Sequence, residues 1–371
     1  MQAVHAIRFG DPTALELVTD LPDPTPGPGE VAIDVSHSAV GLIDLFFRQG
    51  RYQDRPGMPR PPFVPGLEVA GTVRALGGGV TGLSVGEQVV AMSSGSGTGG
   101  YASVYIAKAP LTVSIEGRGI DPALAVSVIP NAAMAHVALT QVAHLVAGES
   151  VLVHGALGGL SAGFPGVAKQ LGASRVVGTV LPGKLAAGRA TKLPYDLIVD
   201  STDLHRALGD EKFDVVIDPV GGTLRTSSFD VMAPGSRLIA AGNASDDWGH
   251  QVDTNQLWFR SITVSGYNAG AFLPAHPEFV PAALAAAIEA TAAGLAETDV
   301  DVLPFSQAVT AHRRMESRDV KGPHRAHSGG MTVSGSHRRR PPRYQMRVGR
   351  AVLRRVRVRV RVRPGPGRGR R

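Results

Sequence analysis

The stretch that decides the fold runs Gly148-Glu-Ser-Val-Leu-Val-His-Gly-Ala-Leu-Gly-Gly-Leu-Ser-Ala-Gly-Phe-Pro-Gly-Val-Ala-Lys-Gln-Leu-Gly-Ala-Ser-Arg-Val-Val-Gly-Thr-Val180. Residues 151–153 form a short apolar run suited to a strand buried on both faces. Gly155, Gly158 and Gly159 follow at once, and an apolar segment of helical character continues to Leu171. A second β-branched run occupies 176–180. Strand, glycine turn, helix, strand is one half of a dinucleotide-binding fold. A helix start presents unpaired N–H groups and a partial positive charge, and a pyrophosphate approaches them closely where the backbone lacks Cβ atoms. Gly155-x-x-Gly158-x-x ends on Ser161 where a third glycine is usual. The motif is therefore weakened, and a strand–helix turn without any ligand is the competing reading.

Working outward, short apolar runs recur at 196–199, 214–218, 237–241 and 262–264, most of them separated by helix-length intervals. That spacing predicts a six-stranded doubly wound parallel sheet, with one more helix at 282–293. Upstream, 3–9, 31–36, 69–76, 88–92 and 102–106 read as strands among Pro/Gly turns, a β-rich first domain built as an irregular barrel. An Ala-rich helical stretch, 122–146, joins the two. No apolar run approaches the ~20 residues of a membrane span. Asp11 and Glu16 interrupt any signal peptide. The absence of cysteine excludes disulfides, thiolate nucleophiles and cysteine-ligated zinc, and the expected compartment is the cytoplasm.

The formal charge of +7 misleads. Sixteen of the 38 Lys and Arg residues lie after position 322, with no acid among them, so the remaining 22 face 31 acids. The globular part is acidic, and a whole-chain argument for nucleic-acid binding fails.

Residues 1 to about 322 resemble the zinc-free, quinone-oxidoreductase branch of the medium-chain dehydrogenase/reductase superfamily. The likeness rests on Pro-Gly-Pro-Gly-Glu-Val at 26–31, Phe-Val-Pro-Gly-Leu-Glu-Val-Ala-Gly at 63–71, and the segments 82–89, 99–102 and 151–159. It extends to Asp-Val-Val-Ile-Asp-Pro-Val-Gly-Gly at 214–222 and Asp-Val-Lys-Gly at 319–322. The resemblance implies an α/β fold: a GroES-like β-rich substrate domain (1–125), a Rossmann NADP-binding domain (126–265) and a return to the substrate domain (266–322). A 49-residue Arg-rich tail (323–371) follows, expected to be disordered. It further implies an NADPH-dependent reductase of quinones or α,β-unsaturated carbonyls, with a homodimer as the expected assembly. Reduction of enoyl thioesters, or NADPH binding without turnover, are the alternatives.

An NAD site usually carries an acid at the end of its second strand, ~20 residues beyond the glycines. Here that point is Thr179-Val180-Leu181, and Lys184 follows. Lys184 reads either as a partner for a 2′-phosphate or as a solvated lysine opening a helix. Gly155, Gly158, Gly159 and Leu160 are the expected pyrophosphate loop. Asp218 and Gly242 end the fourth and fifth strands, and Tyr267 follows the sixth. Ser201 stands where the family often has a phosphate-binding tyrosine. Zinc-dependent relatives place a histidine before Glu68, where this chain has Leu67, so no metal is expected. Tyr52 and Asp44 are the expected catalytic-pocket residues by resemblance. Tyr52 also reads as a wall aromatic, and Asp44 as a cap for the following helix. Gly41 replaces a frequent asparagine, Met134 a frequent threonine, and His154 reads as a buried packed histidine.

After residue 322 the family pattern stops, where a closing strand of the first domain is usual. Residues 354–363 alternate Arg and Val, which as a strand sets six arginines against one another. The tail reads as inert and disordered, as a basic arm for nucleic acid or an acidic surface, or as out-of-frame sequence. Loss of the closing strand predicts an unpaired sheet edge and reduced stability.

Overall fold

The structure, a computed structural model, describes residues 1–93, 99–296, 298–317 and one further strand at Gln345–Val348. The Arg/Val alternation and the three readings of its role lie outside the described residues.

The N-terminal strands β1 (Ala3–Ala6) and β2 (Leu15–Val18) form an antiparallel hairpin. The frame of the first domain is β3 (Glu30–Val40), eleven residues long. It is followed by α1 (Leu42–Arg48), β4 (Glu68–Leu76), β5 (Gln88–Met92), β6 (Val104–Lys108) and β7 (Thr112–Ser114). Register shifts mark a bulge at Arg74 of β4, opposite Ala32/Ile33, and one at Ser36 of β3, which pairs with β4 along one edge and, over Glu30–Asp34, with β6. Bulges bend a strand, and this bend curls the sheet around a core of Val31, Ile33, Val35, Phe47 and Val69.

The second domain begins at α2 (Pro122–Val137), capped by Asp121, whose carboxylate accepts the N–H groups of Ala123 and Leu124. Then come β8 (Ser150–His154), α3 (Gly159–Ala162), α4 (Phe164–Gln170), β9 (Arg175–Val180), α5 (Leu185–Arg189) and β10 (Leu197–Asp200). The second half supplies α6 (Leu204–Leu208), β11 (Phe213–Asp218), α7 (Thr223–Ser227), β12 (Met232–Ala240), α8 (Thr254–Arg260) and β13 (Thr263–Gly266). These six strands are all parallel in the order β10-β9-β8-β11-β12-β13, the doubly wound sheet expected from the sequence. Strand order reverses between β8 and β11, and a doubly wound sheet binds ligands outside the carboxyl ends of its strands at that point. The crossover helix expected to run unbroken to Leu171 is two short helices parted at Gly163. There a Cβ would lie 2.6 Å from the carbonyl of Asn131, so α2 packs backbone to backbone against the break.

Three further expectations are corrected. The chain does not return to the first domain at residue 266. Helices α9 (Ala269–Ala275) and α10 (Val280–Ala292) pack their Leu273, Val280, Leu284 and Ile288 into the Rossmann core beside α2. The crossing comes at β14 (Val302–Pro304) and α11 (Ala308–Ser317), because the Ala-rich α10 completes an apolar layer that α2 alone leaves open. Second, residues 122–142 are long and apolar enough to cross a membrane, but 72% of that window is buried inside the protein, which makes it a core helix. Third, the sheet edge is not left open. Strand β15 (Gln345–Val348), inside the tail expected to be disordered, lies parallel to His37–Val40 of β3 and antiparallel to β14. Ladder hydrogen bonds use backbone groups alone, so an extended segment can serve there without matching the family's closing sequence.

Candidate active site

The glycine turn after β8 is built as the sequence implies. Gly155 has φ +62°, a conformation closed to most side chains, and its carbonyl accepts the Gly158 N–H at 2.7 Å. Gly158, Gly159 and Leu160 stay partly accessible at the start of α3. Ser161, in place of the third glycine, is buried, and its hydroxyl donates to the His154 carbonyl at 2.9 Å, tying helix start to strand end. A narrow gap lined by Gly158, Gly159, Ser127 and Asn131 separates the turn from α2.

Beneath the turn lies a polar cluster. His154 is fully buried between the Thr179 hydroxyl (2.9 Å) and the Ser228 hydroxyl (2.7 Å), and burial lowers its pKa to about 4. It is a neutral packed histidine, as expected. Thr179 spends its side chain on this contact and is itself fully buried. Asp218 is fully buried as well. One oxygen accepts the Val220 and Gly221 N–H groups at 2.9 and 2.8 Å, and the other pairs with Arg225 at 2.6 Å. Arg225 also donates to the Gly242 carbonyl at 2.8 Å. Asp218 thus shapes the turn after β11 and, through Arg225, holds the exposed Gly242 beside it.

Around this frame, Lys184 is partly exposed after β9 and has no hydrogen-bond or ion-pair partner among the described residues. Ser201 is partly accessible after β10, with its N–H on the Val180 carbonyl. Tyr267 is packed edge-on to Phe272, and its buried hydroxyl has no hydrogen-bond partner among the described residues. Because the six strands are parallel, all ten expected cofactor residues lie at or just beyond the carboxyl ends of its strands.

In the first domain, Tyr52 is partly buried, edge-on to Phe46 and Phe47 at 6.0 and 6.1 Å, with the Arg55 guanidinium over its ring. Burial raises its pKa. The adjacent Arg51 pairs with Asp246 at 2.9 Å, and Trp248 donates to the same oxygen at 3.0 Å. This brings the Tyr52 loop against the loop following β12. Asp44 is not a surface group of the cleft. It is fully buried, accepting the Gly41 N–H at 2.7 Å and the Gly66 N–H at 2.9 Å, so it caps α1 and joins two loops. Met134 packs, partly buried, at the edge of the Rossmann core.

Two family models match: the alcohol dehydrogenase GroES-like domain over residues 27–117, and a zinc-binding dehydrogenase model over 193–322. Rat (Rattus norvegicus) quinone oxidoreductase is 30% identical over 251 residues, 65% of this chain and 73% of its own. The chain belongs to the quinone oxidoreductase-like branch of the medium-chain dehydrogenase/reductase superfamily. Another relative of this branch member, the zebrafish (Danio rerio) synaptic vesicle membrane protein VAT-1 homolog, is 29% identical over 79% of the chain. The match spans 63% of that relative's length. A mycobacterial protein solved in complex with NADPH superposes with a TM-score of 0.71 at 30% identity, covering 85% of this chain and 96% of its own. Despite the second model's description, the donor set does not fit zinc. The chain has no cysteine, Leu67 precedes Glu68, and no three His, Asp or Glu converge among the described residues.

Sequence reasoning missed several groups. Glu68 was read only as a motif position, yet its carboxyl has no hydrogen-bond partner among the described residues. Desolvation and the nearby Asp44 push it up to about 8. Arg48, Tyr101 and His312 were not singled out at all. The available signal was an Arg and a His inside apolar helical faces, which reads equally as surface charge.

Proposed function

We propose that this chain is an NADPH-dependent reductase of quinones or other α,β-unsaturated carbonyls that works without a metal. The observation that carries the reading is the second strand's end. Val180 and Leu181 bring no carboxylate, and the unpaired ammonium of Lys184 lies within one helical turn. A 2′-phosphate is recognised by a cation there, and a bare ribose by an acid. The mycobacterial neighbour solved with NADPH supports the same choice. The residues present fit the cofactor: the Gly155 turn admits a pyrophosphate, and the orphaned Tyr267 hydroxyl awaits an acceptor. When bound, NADPH supplies a hydride.

The chain's own residues supply position and a dry wall. The Tyr52 hydroxyl is the donor offered to a developing oxyanion, and Phe46 and Phe47 pack beside the Tyr52 ring and keep water from that side. A conjugated carbonyl needs no Lewis acid beyond this, because its π system spreads the incoming charge. The proposed assembly is a homodimer. Among the described residues β13 has no further strand beside it at one edge of the sheet, and α8 exposes 73% of Trp258 and 75% of Phe259, apolar surface suited to a second copy.

The test is calorimetric binding of NADPH and NADH, then loss of absorbance at 340 nm with 1,4-benzoquinone, an enone and a crotonyl thioester. Turnover of the first two with NADPH preferred is the expected result. Turnover of the thioester alone moves the substrate class to enoyl reduction, and binding of neither nucleotide overturns the proposal.

A further inference from the structure

Most buried ionisable side chains of the first domain are spent on partners. Arg48, on α1, is fully buried, donates from Nη1 to the Gly10 carbonyl at 2.8 Å and forms an ion pair with Glu316 on α11. Its Nε donates to His312 Nδ1 at 3.1 Å, and His312 Nε2 lies 3.1 Å from the Tyr101 hydroxyl. Asp44 is sealed from solvent and holds the Gly41 and Gly66 N–H groups. Glu68 differs on both counts. Its carboxyl makes no hydrogen bond or ion pair with any described residue, and the residue keeps some accessible surface. Register fixes which way it faces. Val69 and Val73 of β4 enter the barrel core, together with Val89 and Ala91 of β5. Ala70, with Val90 and Met92 of β5, faces the other way and joins the Rossmann core with α2. Antiparallel partners share a face, and Glu68 stands opposite Met92, so it belongs to this second row. Ala39, two residues before the Gly41 turn, packs against the same cluster. Glu68 therefore ends the row at the Gly66 loop, on the face between the domains, and α2 on that face also borders the Gly158–Gly159 turn. A carboxyl that is costly to bury and finds no partner within the chain suits a partner brought from outside.

We propose that Glu68 is the acid of the reduction: its carboxyl meets the carbonyl oxygen of the bound substrate and delivers the proton that the reaction consumes. The proposal rests on the reductase reading given above. Reduction of a conjugated carbonyl adds a hydride and a proton. As the hydride from NADPH reaches the substrate, an electron pair of the conjugated system comes to rest on the carbonyl oxygen. The Glu68 O–H bond breaks, the proton forms a new O–H bond on that oxygen, and the electron pair stays on the carboxylate. The product leaves as the enol or hydroquinone, and a proton from solvent restores Glu68. Burial, reinforced by Asp44, pushes Glu68 up to about 8, so it carries its proton at neutral pH and can still release it. Burial raises Tyr52 as well and pushes Tyr105 up to about 12, so these phenols hold their protons. Tyr52 then steadies the oxygen as a hydrogen-bond donor while Glu68 protonates it. The titratable groups around Glu68 are Asp44, Tyr101 and Tyr105, with His37 on β3 and His136, the one titratable side chain of α2, on the elements packed beside it.

Two readouts test it, and the first needs no turnover. The side-chain carboxyl carbon of Glu68, assigned in the NMR spectrum by its absence in Glu68→Gln, is titrated with and without saturating cyclohexenone, NADPH being left out. The midpoint is expected to rise by about half a pH unit or more on binding, because a carbonyl oxygen accepts from the protonated carboxyl alone. The second readout is steady-state. Glu68→Gln keeps the shape and a donor N–H but has no proton to give, so kcat is expected to fall about 100-fold with KM nearly unchanged. Wild-type kcat/KM is expected to fall as pH rises through about 8, and Glu68→Gln to lose that limb. Acetic acid is expected to restore part of the activity of Glu68→Ala; if that variant does not fold, Glu68→Gln decides. Bound cyclohexenone that leaves the Glu68 midpoint unmoved overturns the inference, as does a Glu68→Gln kcat within about threefold of wild type. If neither cyclohexenone nor a quinone binds, the functional reading falls and this inference with it, whereas binding with a silent Glu68 removes the inference alone.

Discussion

In the proposed reading Lys184 carries the cofactor preference on a single ammonium, and Lys184→Glu reverses the sign of the charge met by a 2′-phosphate. One charge-assisted hydrogen bond is worth about 1.5–3 kcal/mol. Expected is a rise in KM for NADPH of about tenfold to a hundredfold, with KM for NADH little changed, read from initial rates with both cofactors. Equal selectivity in the variant removes Lys184 from the site. Asp218 makes a second residue-scale case. Arg225→Ala leaves a fully buried carboxylate with two backbone donors and no counter-charge. Breaking a buried pair costs about 3–5 kcal/mol, so a clear drop in Tm is expected, together with weaker NADPH binding as Gly242 loses its tether. At this scale the sequence was legible where local backbone demands a residue type, as at Gly155. It was opaque where a role depends on a partner far along the chain. Nothing local distinguishes Thr179 as a cofactor contact from Thr179 as the partner of His154, and Asp218 looks like a strand-end ligand until its ion pair with Arg225 is seen.

Among elements, the central strands β8, β9 and β11 were readable because they are buried on both faces and so appear as short apolar, largely β-branched runs; the edge strands β10 and β13 are more exposed and showed only as short apolar runs at the right spacing. β12 was caught only in its second half, since Pro234 and Gly235 interrupt the pattern in a strand that runs Met232–Ala240. The short strands β2, β7 and β14 carry too few residues for a period to show. β15 was missed for a different reason: the surrounding composition argued against any ordered strand. Its importance is checkable by ending the chain at residue 340. Without β15, His37–Val40 of β3 loses its parallel partner and β14 its neighbour. Expected outcomes are a Tm lower by several degrees and increased light scattering on warming, as an open edge recruits other chains. Scattering and Tm equal to those of the full chain would count against a structural role for β15.

For the whole molecule, two carboxyls and two histidines set the dependence of stability on pH. Burial raises Asp44 to about 7 and Glu68 to about 8, so the folded protein binds these protons more tightly than the unfolded chain does. Their contribution is full at low pH and is lost as pH rises through those values. His154 and His312, lowered to about 4 and about 3, act in the opposite sense: their contribution is full above the ordinary histidine value and is lost on acidification. From about pH 4.5 to 6.5 the two effects oppose one another; above 6.5 only the carboxyls still titrate. Urea unfolding should therefore show stability falling between about pH 6.5 and 8.5, and Glu68→Gln should flatten that fall. A rise over this window would refute the assignment. The Arg51–Asp246 bridge joins the Tyr52 loop to the loop after β12, with Arg51 also 4.4 Å above the Phe46 ring. As an exposed pair it is worth at most about 1 kcal/mol, so Arg51→Ala is expected to leave Tm nearly unchanged. It should instead raise KM for the carbonyl substrate a few-fold, and mimic in wild type the effect of added salt. A salt-insensitive KM would show that the bridge does not gate the cleft.

The reach of the Arg48–His312 bond, 264 residues, has a consequence for biosynthesis. While the polypeptide is still emerging from the ribosome, α1 is present with a guanidinium destined for the interior, but the imidazole and carboxylate that neutralise and orient it have not been made. The first domain therefore cannot mature on the usual N-to-C schedule. It must wait, partly open, while the entire nucleotide-binding half is synthesised and collapses. Nascent chains arrested before residue 312 should accordingly be protease-sensitive around α1 yet already protected across the six-stranded sheet.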